Sequence, residues 1–388
     1  VNPTLAPRRW RITRPPVWTV SFLQMSDDLA ALRDAIDQLD AELLAKINER
    51  ARLAEAVAEV KQGVAQDGEA PVLFYRPERE AQVLRRIADL NQGPIPDDQI
   101  RLLFRQIMSA CLALEQPMKV GYLGPEGTFT HQAALKHFGH AVIGTPLVTV
   151  DEVFREVAAE GCHYGVVPVE NSTEGVVNHT LDTFVNTSLK VCGECELAIH
   201  HNFLVSDDHE IHRVYAHEQT FGQCRKWLDA HYPNVERVVT SSNAQAAKLA
   251  VEESHAAAIA AEVAAELYGL TVLAEKIEDA PDNTTRFLVI GREAVGPSGD
   301  DKTSIMVSTA NRPGALYDIL EPFHRHGISL TSLESRPSKA GKWSYVFFID
   351  FEGHASDPGV AQLLTEVQNG SQAVKLLGSY PKAVSVAS

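Results

Sequence analysis

From Leu29 the apolar residues Leu32, Ile36, Leu39, Leu43, Ile47, Leu53, Val57 and Val60 recur at steps of three and four, with Asp27 or Asp28 placed to cap the start. This is the period of one helix face, and it predicts a single helix of about 34 residues, a rod of roughly 50 Å. Such a rod outruns the small domain that carries it, so a second protomer is expected to cover part of the apolar stripe. The stretch 63–77 interrupts the pattern. A second helix is expected from about Glu78 to Leu90, a turn at Gly93-Pro94-Ile95-Pro96, and a third helix from about Asp97 to Glu115.

Pro117 closes this all-helical stretch, and strands then alternate with helices. Apolar runs at 119–123, 164–169, 197–205, 213–216, 256–260 and 286–290, separated by helical stretches, predict an α/β module whose ligand sites lie beyond strand ends. A polar linker with glycine and proline occupies 291–301. After it come a strand at 303–308, a helix at 315–326, strands at 328–335 and 343–351, a helix at 360–367 and a strand at 373–378. That order is βαββαβ, the ferredoxin-like α+β pattern. The expected domains are therefore a basic extension at 1–24, a helical domain at 25–116, an α/β domain at 119–291 and a terminal α+β domain at 302–382.

A chain of 388 residues exceeds one hydrophobic core, in keeping with this division. It has no apolar run of membrane-spanning length. The formal charge of -16 disfavours nucleic acid as a partner and requires any anionic substrate to meet clustered Arg or Lys. The odd total of five cysteines, without a secretory signal, points to a reducing, cytoplasmic setting. Cys192 and Cys195 form a lone CxxC, and His200, His201, His209, His212 and His217 lack a fixed ligand spacing; both are expected to be packing rather than metal sites, and no cofactor is expected. Residues 1–24, rich in Arg and Pro, read as disordered, with Met25 placed like a natural start.

Arg50 and Lys61 lie eleven residues apart, about three helical turns, and so share a face of the long helix. Arg33 is on the same rod, Arg79 and Glu80 open the second helix, and Glu115 ends the third. By spacing alone these are solvated charges or a cationic binding stripe. The run Leu32-Arg33-x-x-Ile36-Asp37-x-x-Asp40-x-x-Leu43, then Asn48-Glu49-Arg50, Val60-Lys61 and Pro77-Glu78-Arg79-Glu80, resembles the all-helical class of chorismate mutase over about 27–116. The resemblance implies a dimer with shared helices, chorismate carboxylates clamped by Arg33 and Arg50, Lys61 donating to the ether oxygen, and Arg79, Glu80 and Glu115 completing the site. Two positions depart from the family: Arg76 stands where many members carry Asp, and Glu115 where Gln is usual. A Glu facing the ether oxygen must be protonated to donate, so mutase activity is expected to fall with rising pH.

In the α/β stretch, Gly121-Tyr122-Leu123-Gly124-Pro125-Glu126-Gly127-Thr128-Phe129-Thr130 is a strand, a glycine turn and a helix start, read equally as a tight connection or a carboxylate site. Its spacing is not the dinucleotide GxGxxG. Val169-Glu170-Asn171-Ser172-Thr173 and Asn283-Thr284-Thr285-Arg286-Phe287 put donors at strand ends. Together with Tyr215-Ala216-His217-x-Gln219 and Thr240-Ser241-Ser242-Asn243, these segments resemble prephenate dehydratase over about 119–291. The resemblance implies a two-lobed, periplasmic-binding-protein-like fold with Thr285 as the catalytic hydroxyl. Asn171, Ser172 and Thr173 are then expected beside it, Arg286 as a carboxylate anchor or loop fastener, and Phe287 as an apolar wall.

Asn311-Arg312-Pro313-Gly314-Ala315-Leu316 and Leu333-Glu334-Ser335-Arg336-Pro337 read locally as a tight turn and a strand end. They also resemble the ACT domain of this enzyme family. That implies phenylalanine bound by Asn311, Gly314, Ala315, Leu316, Glu334, Ser335, Arg336 and Pro337 between two such domains. Three readings stay open beside the bifunctional one: a dehydratase whose helical module serves only dimerisation, a non-catalytic amino-acid sensor, and acceptance of arogenate.

Overall fold

The computed structural model describes residues 29–66, 75–173, 175–206, 210–310, 312–337 and 345–383; the extension at 1–24, Glu174, His209, Asn311 and Trp343 lie outside them. The chain begins with α1 (Leu29–Gln66), α2 (Pro77–Leu90) and α3 (Asp97–Glu115). Pro77 at the first position and Glu78 and Glu80 in the first turn suit the start of α2. Packing divides the chain into two units after Leu53. Within the first, Leu29, Leu32, Ile36, Leu39, Leu43, Leu44 and Leu53 are exposed. Within the second, α2 and α3 bury Leu84, Ala88 and Cys111.

The α/β domain is two lobes. The first comprises β1 (Lys119–Leu123), α4 (Phe129–Phe138), β2 (Ile143–Leu147), α5 (Val150–Ala158), β3 (Tyr164–Asn171), β4 (Gly175–Val176), α6 (Asn178–Phe184) and β5 (Lys190–Ala198). The chain then crosses to the second lobe. That lobe comprises β6 (Asn202–Val205), β7 (Arg213–His217), α7 (Glu218–Gln223), α8 (Arg225–His231), β8 (Glu236–Thr240), α9 (Asn243–Glu252), β9 (Ala256–Ala260), α10 (Glu262–Tyr268) and β10 (Thr271–Ala274). Finally β11 (Thr284–Gly291) returns between β3 and β5, giving orders β2-β1-β3-β11-β5 and β10-β6-β9-β7-β8.

The single strand expected at 197–205 is in fact the end of β5 and the whole of β6. Ile199, His200 and His201 between them form the crossover. The short polar interruption His200-His201-Asn202 gave no clear break, because apolar residues flank it closely and Ile199, His201 and Asn202 are buried. In the second lobe the all-alanine and isoleucine strand β9 lets α9 and α10 approach closely through Ala246, Ala247, Ala250, Ala264 and Ala265.

The last domain is β12 (Asp301–Thr309), α11 (Ala315–His326), β13 (Leu330–Pro337), β14 (Tyr345–Glu352), α12 (Pro358–Gly370) and β15 (Ala373–Pro381), in antiparallel order β13-β14-β12-β15. Alternation assigns its faces. Ile305, Val307, Phe347, Ile349 and Phe351 meet the helices through Ile319, Phe323, Val360, Leu363 and Val367. On the other face Val346, Phe348, Leu377 and Tyr380 join Val191 and Leu288 in the core of the first lobe. A Cβ on Gly378 would collide with the Val191 carbonyl oxygen, so β15 lies directly on the β5 backbone only because residue 378 is glycine.

Candidate functional site

A cleft of about 450 Å³ opens between the two lobes. The first lobe lines it with Leu123, Gly124, Thr128, Phe129, Asn171 and Thr285, the second with His217, Gln219, Thr220, Gln223, Ser242 and Asn243, and the crossovers with Ile199, His201 and Asn283. Gly127, at φ 85°, brings the turn before α4 against α10, and Tyr268 Oη donates to the Glu126 carbonyl at 3.2 Å, holding the lobes together at the rim. The glycine turn is spent largely on structure: Gly124 N–H donates to the Leu147 carbonyl at 2.8 Å and Gly127 N–H to His131 Nδ1 at 3.1 Å.

Thr285 sits opposite Asn171 in the β3–β11 register and is nearly buried. Its Oγ1 accepts from Asn171 Nδ2 at 2.7 Å, and the same amide donates to Asn283 Oδ1 at 2.9 Å. Asn171 Oδ1 in turn accepts from the Thr173 backbone N–H at 3.0 Å and its hydroxyl at 2.6 Å. Accepting from the amide, the Thr285 hydroxyl keeps its own proton for donation. Ser172 stitches the loop together, donating to the Asp282 carbonyl at 3.1 Å and accepting from Thr284 N–H at 2.9 Å. Ser172 and Thr173 thus brace the loop and are not among the residues that line the cleft.

Arg286 and Phe287 are placed differently from the expectation. Arg286 projects from the other face of the sheet: Nε donates to Glu194 at 2.9 Å, Nη1 lies 2.7 Å from Asp350, and Nη2 donates to Tyr380 Oη at 3.1 Å. Lys302 joins at 2.8 Å from Glu194. Burial alone would raise the Glu194 carboxyl, but Arg286 and Lys302 outweigh it and hold it below the ordinary carboxylate range. Strand alternation forces this, since Thr285 takes the cleft face. Phe287 is fully buried in the lobe core with Val120, Tyr122 and Cys195, without reaching the cleft.

The neglected residues are those from the second lobe and the crossovers. In the sequence His217, Gln219 and Asn243 stand in segments that carry the resemblance, whereas His201 reads as packing. His217 N–H donates to Asn243 Oδ1 at 2.9 Å, and Asn243 Nδ2 donates to Thr220 Oγ1 at 2.8 Å. Cys192 and Cys195 are buried thiols in β5, pushed up by burial to about 12 and about 11.

In the helical module Lys61 Nζ lies 3.6 Å from Glu115 Oε2, both side chains largely shielded. Lys61 also borders a cavity of about 410 Å³ shared with Tyr75, Arg76, Tyr164 and Glu293. Arg76 turns to Glu78, at 2.7 Å. Glu80 pairs with Arg105 at 3.0 Å, and burial raises its carboxyl against that pull, while Arg79 is exposed. On the first part of α1, Arg33 is exposed and Arg50 half-buried.

In the last domain Gly314, at φ 81°, caps α11 ahead of buried Ala315 and exposed Leu316. The edge strand β13 divides its expected ligands. Ser335 and Pro337 are exposed, whereas Arg336 turns inward to Asp182 at 3.0 Å. Glu334 turns the same way, towards Glu170, and burial and then Glu170 raise its carboxyl.

Three family models match the chain: Chorismate mutase type II over residues 32–116, Prephenate dehydratase over 120–295 and ACT domain over 303–369. A bifunctional chorismate mutase/prephenate dehydratase of Pseudomonas aeruginosa is 60% identical over 361 residues, covering 92% of this chain and 99% of that one. The protein so described from Escherichia coli K12 is 32% identical over 383 residues, covering 91% and 96%. Among solved structures, prephenate dehydratase of Arthrobacter aurescens in complex with L-Phe superposes with a TM-score of 0.64 at 36% identity, covering 70% of this chain and 92% of that one. The Staphylococcus aureus prephenate dehydratase gives 0.61 at 28% identity, covering 68% and 100%.

Proposed function

The chain belongs to the bifunctional chorismate mutase/prephenate dehydratase family, and from that premise we propose how its own residues carry the two reactions. The observation that carries the dehydratase assignment is the Thr285–Asn171–Asn283 network lining the interlobe cleft. Prephenate loses its ring carboxylate as CO2, and the electrons of that C–C bond complete the aromatic ring as the C4–O bond breaks. The departing oxygen takes a proton and leaves as water. Thr285 donates to that oxygen, with its orientation set by Asn171; the product is phenylpyruvate. Arg286 is outside this chemistry and serves the contact with the regulatory domain.

In the mutase, chorismate rearranges to prephenate without acid, base or nucleophile in the usual sense, so positioning and electrostatics must lower the barrier. Arg33 and Arg50 clamp the carboxylates as guanidinium forks, and Lys61 and Glu115 face the ether oxygen, where negative charge develops. Arg79 and Glu80 orient the second helix against the substrate. A second copy of the chain covers the apolar residues exposed on α1, giving a homodimer with shared long helices. Phenylalanine binds where Gly314 to Leu316 of one ACT domain meets the 334–337 edge of another, and inhibits by preferring that arrangement. Among the described residues no helix is long and apolar enough to cross a membrane, and a cytoplasmic place fits the buried free thiols.

The experiment is to supply purified protein with chorismate and follow chorismate loss and phenylpyruvate appearance, with and without phenylalanine. Phenylpyruvate formed from both chorismate and prephenate, and suppressed by phenylalanine, is the expected result. Turnover of prephenate alone leaves a dehydratase with a helical dimerisation module.

A further inference from the structure

The outward crossover between the lobes puts His201 in the wall of the cleft, with the residue only 1% exposed. Its backbone N–H donates to Glu278 Oε2 at 2.8 Å, and its carbonyl accepts from Ile277 N–H at 2.8 Å. The ring stands edge-on to Phe129 with centroids 5.5 Å apart. Nε2 lies 2.7 Å from Gln223 Oε1, an acceptor, so the ring proton belongs on Nε2 and Nδ1 carries a bare lone pair. That Nδ1 is buried and finds no hydrogen-bond partner among the described residues. Buried polar atoms are nearly always paired, and one left unpaired on the wall of a ligand cleft calls for a donor from the ligand. Burial also lowers the basicity of the ring, which keeps it an uncharged acceptor rather than an imidazolium.

We propose that His201 is a substrate-binding residue of the dehydratase, accepting at Nδ1 the hydrogen bond donated by the ring hydroxyl of prephenate. This rests on the dehydratase reading of the cleft and adds to it. With both carboxylates ionised and the keto group only an acceptor, the C4 hydroxyl is the one donor that prephenate offers, so Nδ1 matches a single place on the substrate. Holding the hydroxyl hydrogen turns the oxygen lone pairs towards a donor such as Thr285. That is the orientation in which the oxygen can take a proton and leave as water. His201 then registers the hydroxyl, and Gln223 and Glu278 hold His201.

His201→Gln keeps a polar group near Gln223 but removes the Nδ1 acceptor, whereas His201→Asn keeps an acceptor near the Nδ1 position. With each variant, prephenate turnover and inhibition by phenylpyruvate, which lacks the ring hydroxyl, are to be measured, with mutase turnover of the same polypeptide reporting intact folding. The expected result is a rise in prephenate KM of about tenfold in H201Q, the worth of one hydrogen bond, with a smaller rise in H201N and the phenylpyruvate inhibition constant unchanged. Equal weakening of prephenate and phenylpyruvate, or unchanged prephenate kinetics in H201Q, overturns the proposal. A wild-type protein that does not turn over prephenate is a different failure, that of the dehydratase reading itself.

Discussion

Thr285 and Arg286 are consecutive in β11 and face opposite sides of one sheet. Thr285 lines the interlobe cleft, and Arg286 lies in a buried charge cluster that reaches the last domain through Asp350, Lys302 and Tyr380. One peptide unit therefore joins the proposed catalytic hydroxyl to the underside of the regulatory domain. A shift of that domain has a short path to the cleft, carried by a strand rather than by a loop.

Arg286→Met is expected to leave Glu194 and Asp350 short of a partner in a buried site, a loss of about 3 to 5 kcal/mol. The melting temperature should fall by roughly 10 °C, with prephenate KM within about twofold of wild type. A tenfold KM increase without loss of stability would return Arg286 to the substrate.

Thr285→Ala is expected to lower dehydratase kcat by about a hundredfold or more while KM and mutase turnover stay near wild type. Thr285→Ser, which restores a hydroxyl at the same register position, should recover much of the rate. Steady-state kinetics on both substrates check this, and a Thr285→Ala enzyme with comparable turnover removes the residue from the mechanism.

Periodicity made the three helices legible almost to the residue, and the last domain's element order could be read because its strands alternate. The lobe boundary could not be read, since the polar residues His200, His201 and Asn202 are flanked closely by apolar ones, and Ile199, His201 and Asn202 are buried like the strands on either side. The direction of Arg286 was equally hidden. A Thr-Arg pair reads as two neighbouring site residues until the partner strands show which face is the cleft. His201 and Gln223 meet only through the fold, on a crossover and at the end of a short helix, and no spacing in the chain announces them.

The lowered Glu194 carboxyl gives acid sensitivity a defined sign. A carboxylate whose folded-state pKa lies below its unfolded value contributes stability that is present above the unfolded pKa, near 4.3, and is lost as pH falls through the folded value. Wild-type melting temperature should therefore decline as pH drops from about 5 towards 3. Glu194→Gln should be less stable at neutral pH and show a shallower decline, measured by calorimetry across that range. Parallel profiles would mean that Arg286 and Lys302 do not stabilise the ionised carboxylate.

Gly378 separates steric docking from charge. Because a Cβ there meets the Val191 carbonyl, Gly378→Ala must push β15 away from β5 without touching any ionisable group. Overpacking of this kind costs about 1 to 3 kcal/mol. The expected outcome is a lower melting temperature and weakened inhibition by phenylalanine, with mutase turnover unchanged. Wild-type stability and feedback in this variant would mean that the β15–β5 contact is not needed for either.

Glu115 offers the sharpest test of the mutase. It lies 3.6 Å from Lys61, the proposed donor to the ether oxygen. The Glu115 carboxylate draws on that ammonium, whereas the amide of Glu115→Gln relieves the pull and adds a second donor beside it. Mutase kcat/KM should therefore rise in Glu115→Gln. In Lys61→Ala it should fall by about a hundredfold, the loss expected when a donor acting on developing charge as an oxyanion-hole group does is removed. Mutase kinetics of the two variants at one pH decide it: unchanged turnover in Lys61→Ala removes Lys61 from the ether oxygen, and unchanged turnover in Glu115→Gln removes Glu115 from the mechanism.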